Sequence, residues 1–404
     1  MEAYVLDWLN VLLRWLHVVA AIAWIGSSFY FVFLDSSLTP PADERLRREG
    51  ATGELWAVHG GGFYHPVKYA VAPPALPPHL HWFYWESYTT WLSGFALFAA
   101  SYLWQADVYL IDTRVYAWPS TGWAVAAALA WLLVFWLAYD GLCRVLGQGP
   151  GGDRRVGIGV AILVAFATWL ACQLFTGRAA FVLVGAMLAT AMSANVLVWI
   201  IPGQRKVVAA LRRGETPNPV HGQRGKQRSV HNTYFTLPVV IAMISNHYGF
   251  LTQHAWNWAV LLVLMAAGAA IRQFFVLRHA HRLGKHPHPW PWAAVGVGLI
   301  VAVIVALRPD GAAIAPAASA PLSAPQPQQV LAIVQQRCVA CHGEALASRN
   351  VRLDSPEALR QHAQAVYQQV VVLRQMPLNN VTGLTEEERA VLAAWYRAGA
   401  PLPP

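Results

Sequence analysis

LNVLLRWLHVVAAIAWIGSSFYFVFL, residues 9–34, runs for 26 positions with Arg14 as its only Asp, Glu, Lys or Arg. About 20 mostly apolar residues in one helix cross the hydrocarbon of a bilayer, so this stretch reads as a membrane span. Seven more apolar runs follow, near 82–104, 120–139, 156–175, 179–201, 231–250, 255–276 and 291–308. They lack the short alternating pattern of barrel strands. Only LFTGRAA separates the fourth from the fifth, which predicts a tight helical hairpin. The expected fold class is all-α, with an eight-helix polytopic membrane domain over residues 1–308.

Composition agrees with this. The chain is 56% apolar and 12% charged, with 19 tryptophans, where a soluble domain carries about 25% charged residues. No cleavable leader is evident near the amino terminus, so the first span is expected to be retained. The net charge of +9 does not point to nucleic acid, because the cations lie between spans. Connections one–two, three–four, five–six and seven–eight hold 4, 3, 7 and 3 Lys or Arg, a total of 17. The opposite connections hold two, Arg114 and Arg178. Basic loops stay in the cytoplasm, so the expectation is a multi-pass membrane protein with both termini on the opposite side.

After Arg308 the composition shifts to Pro, Ala and Ser, which predicts a linker over 309–327 and a small periplasmic domain over 328–404. Four cysteines do not make a disulfide framework. Cys338, Cys341 and His342 form CVACH, a CxxCH site. Two thiols three positions apart reach the two vinyl groups of one haem while the adjacent imidazole reaches its iron. A redox dithiol or half a zinc site is the bland alternative, but the adjacent His, the amphipathic VLAIVQQR and the small domain favour one covalent haem c in a class I-like cytochrome c domain. Met376 is the domain's only methionine and the expected second axial ligand, with His362 its rival. Val391, Leu392 and Trp395 of the last helix should pack on the haem-binding helix.

Polar residues interrupt the spans at His17, Glu86, His231 and His247, and His254 begins the seventh. Such groups are costly in lipid and are usually paired, ligated or set in a polar cavity. His231 and His247 are 16 residues apart, about 24 Å along a helix, so they cannot share one iron. His17 and His247 lie at similar outer depth. They either clamp a haem b or form hydrogen bonds between helices, with His254 a competitor. On the cytoplasmic side, AVHGGGFYHPVKYAVAPPALPPHLHWFYW carries His59, His65, Lys68, His79 and His81 beside Gly60–Gly61–Gly62. Glycines permit close backbone approach to a ligand, although the stretch lacks a phosphate-loop pattern. This loop either lines a pocket for a flat anionic heterocycle, with histidine as proton carrier and Lys68 as counter-charge, or packs on lipid headgroups.

Together, LRWLHVVAAIAWIGSSFYF, HGGGFYHPVKY, HNTYFTLPVVIAMISNHYGF and the late CVACH resemble the membrane-bound urate oxidases that carry a carboxyl-terminal cytochrome c domain. The resemblance covers essentially the whole chain. It implies oxidation of urate to 5-hydroxyisourate in purine breakdown, with electrons leaving through the cytochrome to a respiratory acceptor rather than directly to oxygen. Its loop residues fall on His59, His65 and Lys68, and its haem c residues on Cys338, Cys341, His342 and Met376. The urate base is placed in the loop by our own reading, or deeper with Glu86 or His231 as proton relay. A haem c takes one electron while urate gives two, which is the internal reason to expect haem b. Rival readings are a quinol or other small-molecule dehydrogenase, an electron-transfer subunit without a substrate site, and a copper or solute transporter regulated by the haem domain.

Overall fold

A computed structural model describes residues 2–69, 72–308, 325–348 and 351–402. Most of the linker expected over 309–327 lies outside the described residues. A helix occupies each of the eight expected segments: α1 (Glu2–Ser37), α2 (Trp85–Phe98), α3 (Thr121–Leu146), α4 (Gly152–Leu174), α5 (Gly177–Ala194), α6 (Pro219–Ile244), α7 (Asn257–Arg282) and α8 (Trp290–Ala306). Among the described residues, five helices are long and apolar enough to cross a membrane: Trp8–Ser37, Thr121–Leu146, Gly152–Leu174, Gly177–Arg212 and Asn257–Arg282. The other three differ for local reasons. α2 has only 14 residues before a π-helical turn at Ala99–Leu103, α8 has only 17, and the first half of α6 is the polar PVHGQRGKQRS.

α5 is the central helix. Its Ala and Gly side chains let neighbours approach closely, and Ala179, Ala180, Leu183, Val184, Met187 and Ala191 are all buried. α1 is peripheral. It packs on α2 and α7 and turns Trp8, Leu12, Trp15, Val19 and Ile22 outward, an apolar face that suits lipid better than water.

Between α1 and α2 the chain forms two small antiparallel sheets. β1 (Ala51–Glu54) pairs with β4 (Val67–Tyr69), and β2 (Ala57–His59) pairs with β3 (Gly62–Tyr64). Gly60 and Gly61 form the two-residue turn of the second pair, at φ +59° and +81°. That turn requires positive φ at both positions, and both glycines face open space. The glycine triplet therefore makes a hairpin turn.

The carboxyl-terminal unit is helical. α9 (Pro327–Arg337) leads into the short turn Val339–His342, and α10 (Glu386–Arg397) closes the unit. Val330 and Val334 of α9 share one buried cluster with Leu392 and Trp395 of α10, and Val391 packs on its edge. Arg337 ties the two helices together through a 3.0 Å ion pair with Glu388. The unit rests on the turn after α6: Gln253 Nε2 donates to the Arg374 carbonyl at 3.1 Å, and Gln375 donates to the His247 carbonyl.

Candidate functional site

α1, α2, α5 and the end of α6 enclose a cavity of about 250 Å³. Arg14, His17, Asn246 and His247 line it, with no Asp or Glu among the lining residues. His17 is set deep between two helices. Its Nδ1 lies 3.0 Å from the Thr90 carbonyl and 3.3 Å from Ser93 Oγ. A carbonyl only accepts, so the Thr90 contact puts the ring proton on Nδ1 and leaves the lone pair on Nε2. Asn246 Oδ1 is buried without a donor. Arg14 donates to Asn10 at 3.2 Å, and no ion pair neutralises it among the described residues.

His17 and His247, expected to share one site, do line one cavity. His254 instead caps its own turn, accepting from the Trp256 N–H at 3.1 Å. Arg14 and Asn246 were missed by sequence reasoning. Arg14 was legible as the only formal charge of the first span; Asn246 had no signal beyond lying next to His247.

The loop between α1 and α2 does not gather its expected residues. His65 Nε2 meets Glu54 Oε2 at 2.7 Å, and its ring stacks on Trp56 with centroids 4.0 Å apart. Glu54 also accepts the Ala42 N–H at 2.7 Å. That backbone bond first, and His65 second, hold the Glu54 carboxyl below its ordinary range. His59 is exposed beside the hairpin turn. Lys68 forms a 2.6 Å ion pair with Asp35, so the shallow cleft they both line, about 350 Å³, offers an anion a cation that is already paired. Glu86 sits in the first turn of α2, where the helix dipole favours a carboxylate.

His231 belongs to a separate buried network. Its Nδ1 lies 2.9 Å from the Tyr139 hydroxyl, which also accepts from Asn195 at 2.9 Å. Asp140 accepts from Arg228 at 2.7 Å and from Trp199 at 2.8 Å. Asn195 opens a π-helical turn, Asn195–Ile200, that continues α5. These bonds tie α3 and α6 to the turn that continues α5.

In the carboxyl-terminal unit, Cys338 is buried, and Cys341 is half-buried; both are free thiols. Burial first, and the neighbouring Cys341 second, push the Cys338 thiol up to about 11. His342 Nδ1 lies 3.1 Å from the Val351 carbonyl, which leaves Nε2 as the free acceptor, the arrangement that iron-ligating histidines use. Met376 packs on the cluster that contains Cys338. These four residues fit a covalent haem.

The family described as urate oxidase N-terminal matches residues 3–307. No curated protein and no solved structure matches the chain.

Proposed function

The chain belongs to the urate oxidase N-terminal family, and on that premise we propose that it oxidises urate to 5-hydroxyisourate in the bacterial inner membrane. Counted from the neutral acid, urate and water give 5-hydroxyisourate, two protons and two electrons. Haem c, when attached through Cys338 and Cys341 and ligated by His342 and Met376, supplies a one-electron acceptor of raised potential. A respiratory cytochrome or other membrane acceptor then takes each electron onward.

One observation carries this reading beyond the family. The segment that holds Met376 rests on the His247–Gln253 turn, and His247 lines the cavity. That contact supports a route from a substrate oxidised in the membrane unit to a carrier in the carboxyl-terminal unit. Anaerobic urate, added to oxidised, haem-replete protein, is expected to produce the reduced haem c spectrum with no oxygen present. Reduction by a quinol but not by urate would assign the chain to the rival dehydrogenase class.

A second reading concerns haem b. His17 and His247 line one cavity, as a bis-histidine haem requires. Acid–acetone extraction of one haem, with another left covalently bound, would support it.

A further inference from the structure

We propose that the purine binds in the cavity between α1, α2, α5 and the end of α6, held by Arg14, His17 and Asn246, and not in the His59–Lys68 loop. This deepens the urate reading above and rests on it.

Size is the first argument. An engineered cavity of about 150 Å³ takes one benzene ring. About 250 Å³ therefore suits a small bicyclic molecule, whereas a haem is several times larger. Wall chemistry is the second. Trp91 and Phe95 lie 5.3 Å apart and nearly parallel at 11°, and both line the cavity with Trp24 and Phe98. Flat rings of this kind accept a flat heterocycle at low cost in side-chain entropy.

Charge and hydrogen bonding are the third. Arg14 is the only Lys or Arg lining the cavity and faces no carboxylate there, so the site favours a monoanion. Arg14 can donate to a urate carbonyl. The buried, undonated Asn246 Oδ1 is an acceptor that lacks only an N–H, and the purine ring presents several. Leaving such an atom unpaired costs roughly 1–3 kcal/mol. His17 Nε2 carries a lone pair because its Nδ1 is held by Thr90, so it can take a ring proton as electrons leave. Haem c, if attached through Cys338 and Cys341, would take the two electrons one at a time and pass each to the respiratory acceptor. Water supplies the oxygen that bonds to C5; one of its protons stays on the new hydroxyl and the other leaves with one ring proton, the two protons counted from the neutral acid. The loop offers none of this, since its cation is already paired to Asp35.

The test uses full-length, haem-replete protein, reduced with ascorbate so that bound urate cannot turn over. Equilibrium dialysis of labelled urate measures affinity, and stopped-flow mixing with oxidised protein measures haem c reduction. Arg14→Met and Asn246→Leu should each weaken binding about tenfold or more, which is about 1.4 kcal/mol. Ala189→Leu, which fills the cavity from α5, should do the same. His65→Ala and Lys68→Met should stay within about twofold of wild type. Unchanged haem content and unfolding temperature in each variant establish that it folds. Wild-type affinity in Arg14→Met, Asn246→Leu and Ala189→Leu would overturn the site while leaving the enzyme a urate oxidase, as would loss of binding confined to the loop variants. An acid–acetone-extractable haem that His17→Ala removes would also overturn it, because the cavity would then belong to that haem. A wild-type protein that urate neither binds nor reduces would instead remove the underlying functional reading.

Discussion

A methyl group on Gly94 would lie 2.7 Å from Cε1 of His17 and 3.0 Å from its Nδ1. The absence of a side chain at position 94 is thus what lets the imidazole lie against α2 and reach the Thr90 carbonyl at 3.0 Å. Gly94→Ala raises helix propensity by about 1 kcal/mol, so the helix itself should survive, but the ring must move. Displacing a reacting group by about 1 Å can cost about a hundredfold in rate. Urate-driven reduction of haem c is therefore expected to fall between about tenfold and a hundredfold, with dithionite reduction unchanged. An unchanged urate rate would remove His17 from the reaction.

Asp140 and Arg228 form the most deeply buried ion pair in the chain's described residues, at 5% and 3% exposure. Asp140 has a second partner, Arg144, at 2.6 Å, whereas Asp140→Leu strands the buried Arg228, at a cost of about 3–5 kcal/mol. Asp140→Leu should accordingly lower the unfolding temperature in detergent markedly. The double substitution Asp140→Leu with Arg228→Leu should recover part of that loss, because both desolvated charges go. No recovery would locate the stabilisation in the stacking of Arg228 on Tyr139 and Trp199, 5.1 and 5.4 Å from its guanidinium.

Glu54 gives the loop between α1 and α2 a pH dependence. Its carboxyl lies below the ordinary value of 4.5, through the Ala42 N–H and then His65. A carboxylate whose pKa falls on folding adds stability above its unfolded value, and that stability is lost as pH drops through the folded value. The loop should hold at neutral pH and loosen below about 4.5. Hydrogen exchange of the segment Ala51–Tyr69 should accelerate in that acid range. Glu54→Gln should exchange faster at neutral pH and lose most of the acid response; a Gln variant with the wild-type acid profile would show that another group controls the loop.

The spans and the haem attachment motif were legible because both are written in consecutive residues. A run such as 9–34 needs no partner to declare itself, and CVACH is complete within five positions. His17 and His247 could be matched because helical rise converts sequence position into depth. What could not be read depends on distant pairing. Glu54 lies 11 residues from His65 and Asp35 lies 33 from Lys68, so nothing local showed that both loop residues were already engaged. Gly60–Gly61 looks alike in sequence whether it cradles a ligand or turns a hairpin; the register of Ala57 with Tyr64 decides. Arg14, near one end of its span, resembles any cation snorkelling to an interface until α2 and α6 bring aromatic and amide groups beside it.

Membrane orientation rests on the contrast of 17 Lys or Arg in one set of connections with two in the other. A reporter that works only outside the cytoplasm should be active when fused after Pro404 and inactive near Gly214. Equal behaviour at the two positions would mean that an even number of spans separates them, against the three of the eight-span reading.

Arg389 controls the segment that carries Met376. It is 6% exposed, and its Nη1 donates to the Val370 carbonyl and, at 3.3 Å, to that of Met376. One guanidinium thus fastens both ends of the stretch from Val370 to Met376, and Glu386 adds a 3.4 Å ion pair that orients it. Neutralising the side chain leaves the buried Val370 carbonyl without this donor, at a cost of roughly 1–3 kcal/mol, releases the part-buried Met376 carbonyl, and frees the stretch to shift. Haem attachment depends on Cys338 and Cys341, which lie elsewhere, so Arg389→Met should keep covalent haem on denaturing electrophoresis. Ligation by the Met376 thioether should weaken, and with it the raised reduction potential. A redox titration should find Arg389→Met below wild type and Met376→Ala lower still. If Arg389→Met matches wild type while Met376→Ala falls, the packing of Met376 on the Cys338 cluster holds the ligand unaided; if neither falls, the sixth ligand is another residue, with His362 the first to substitute.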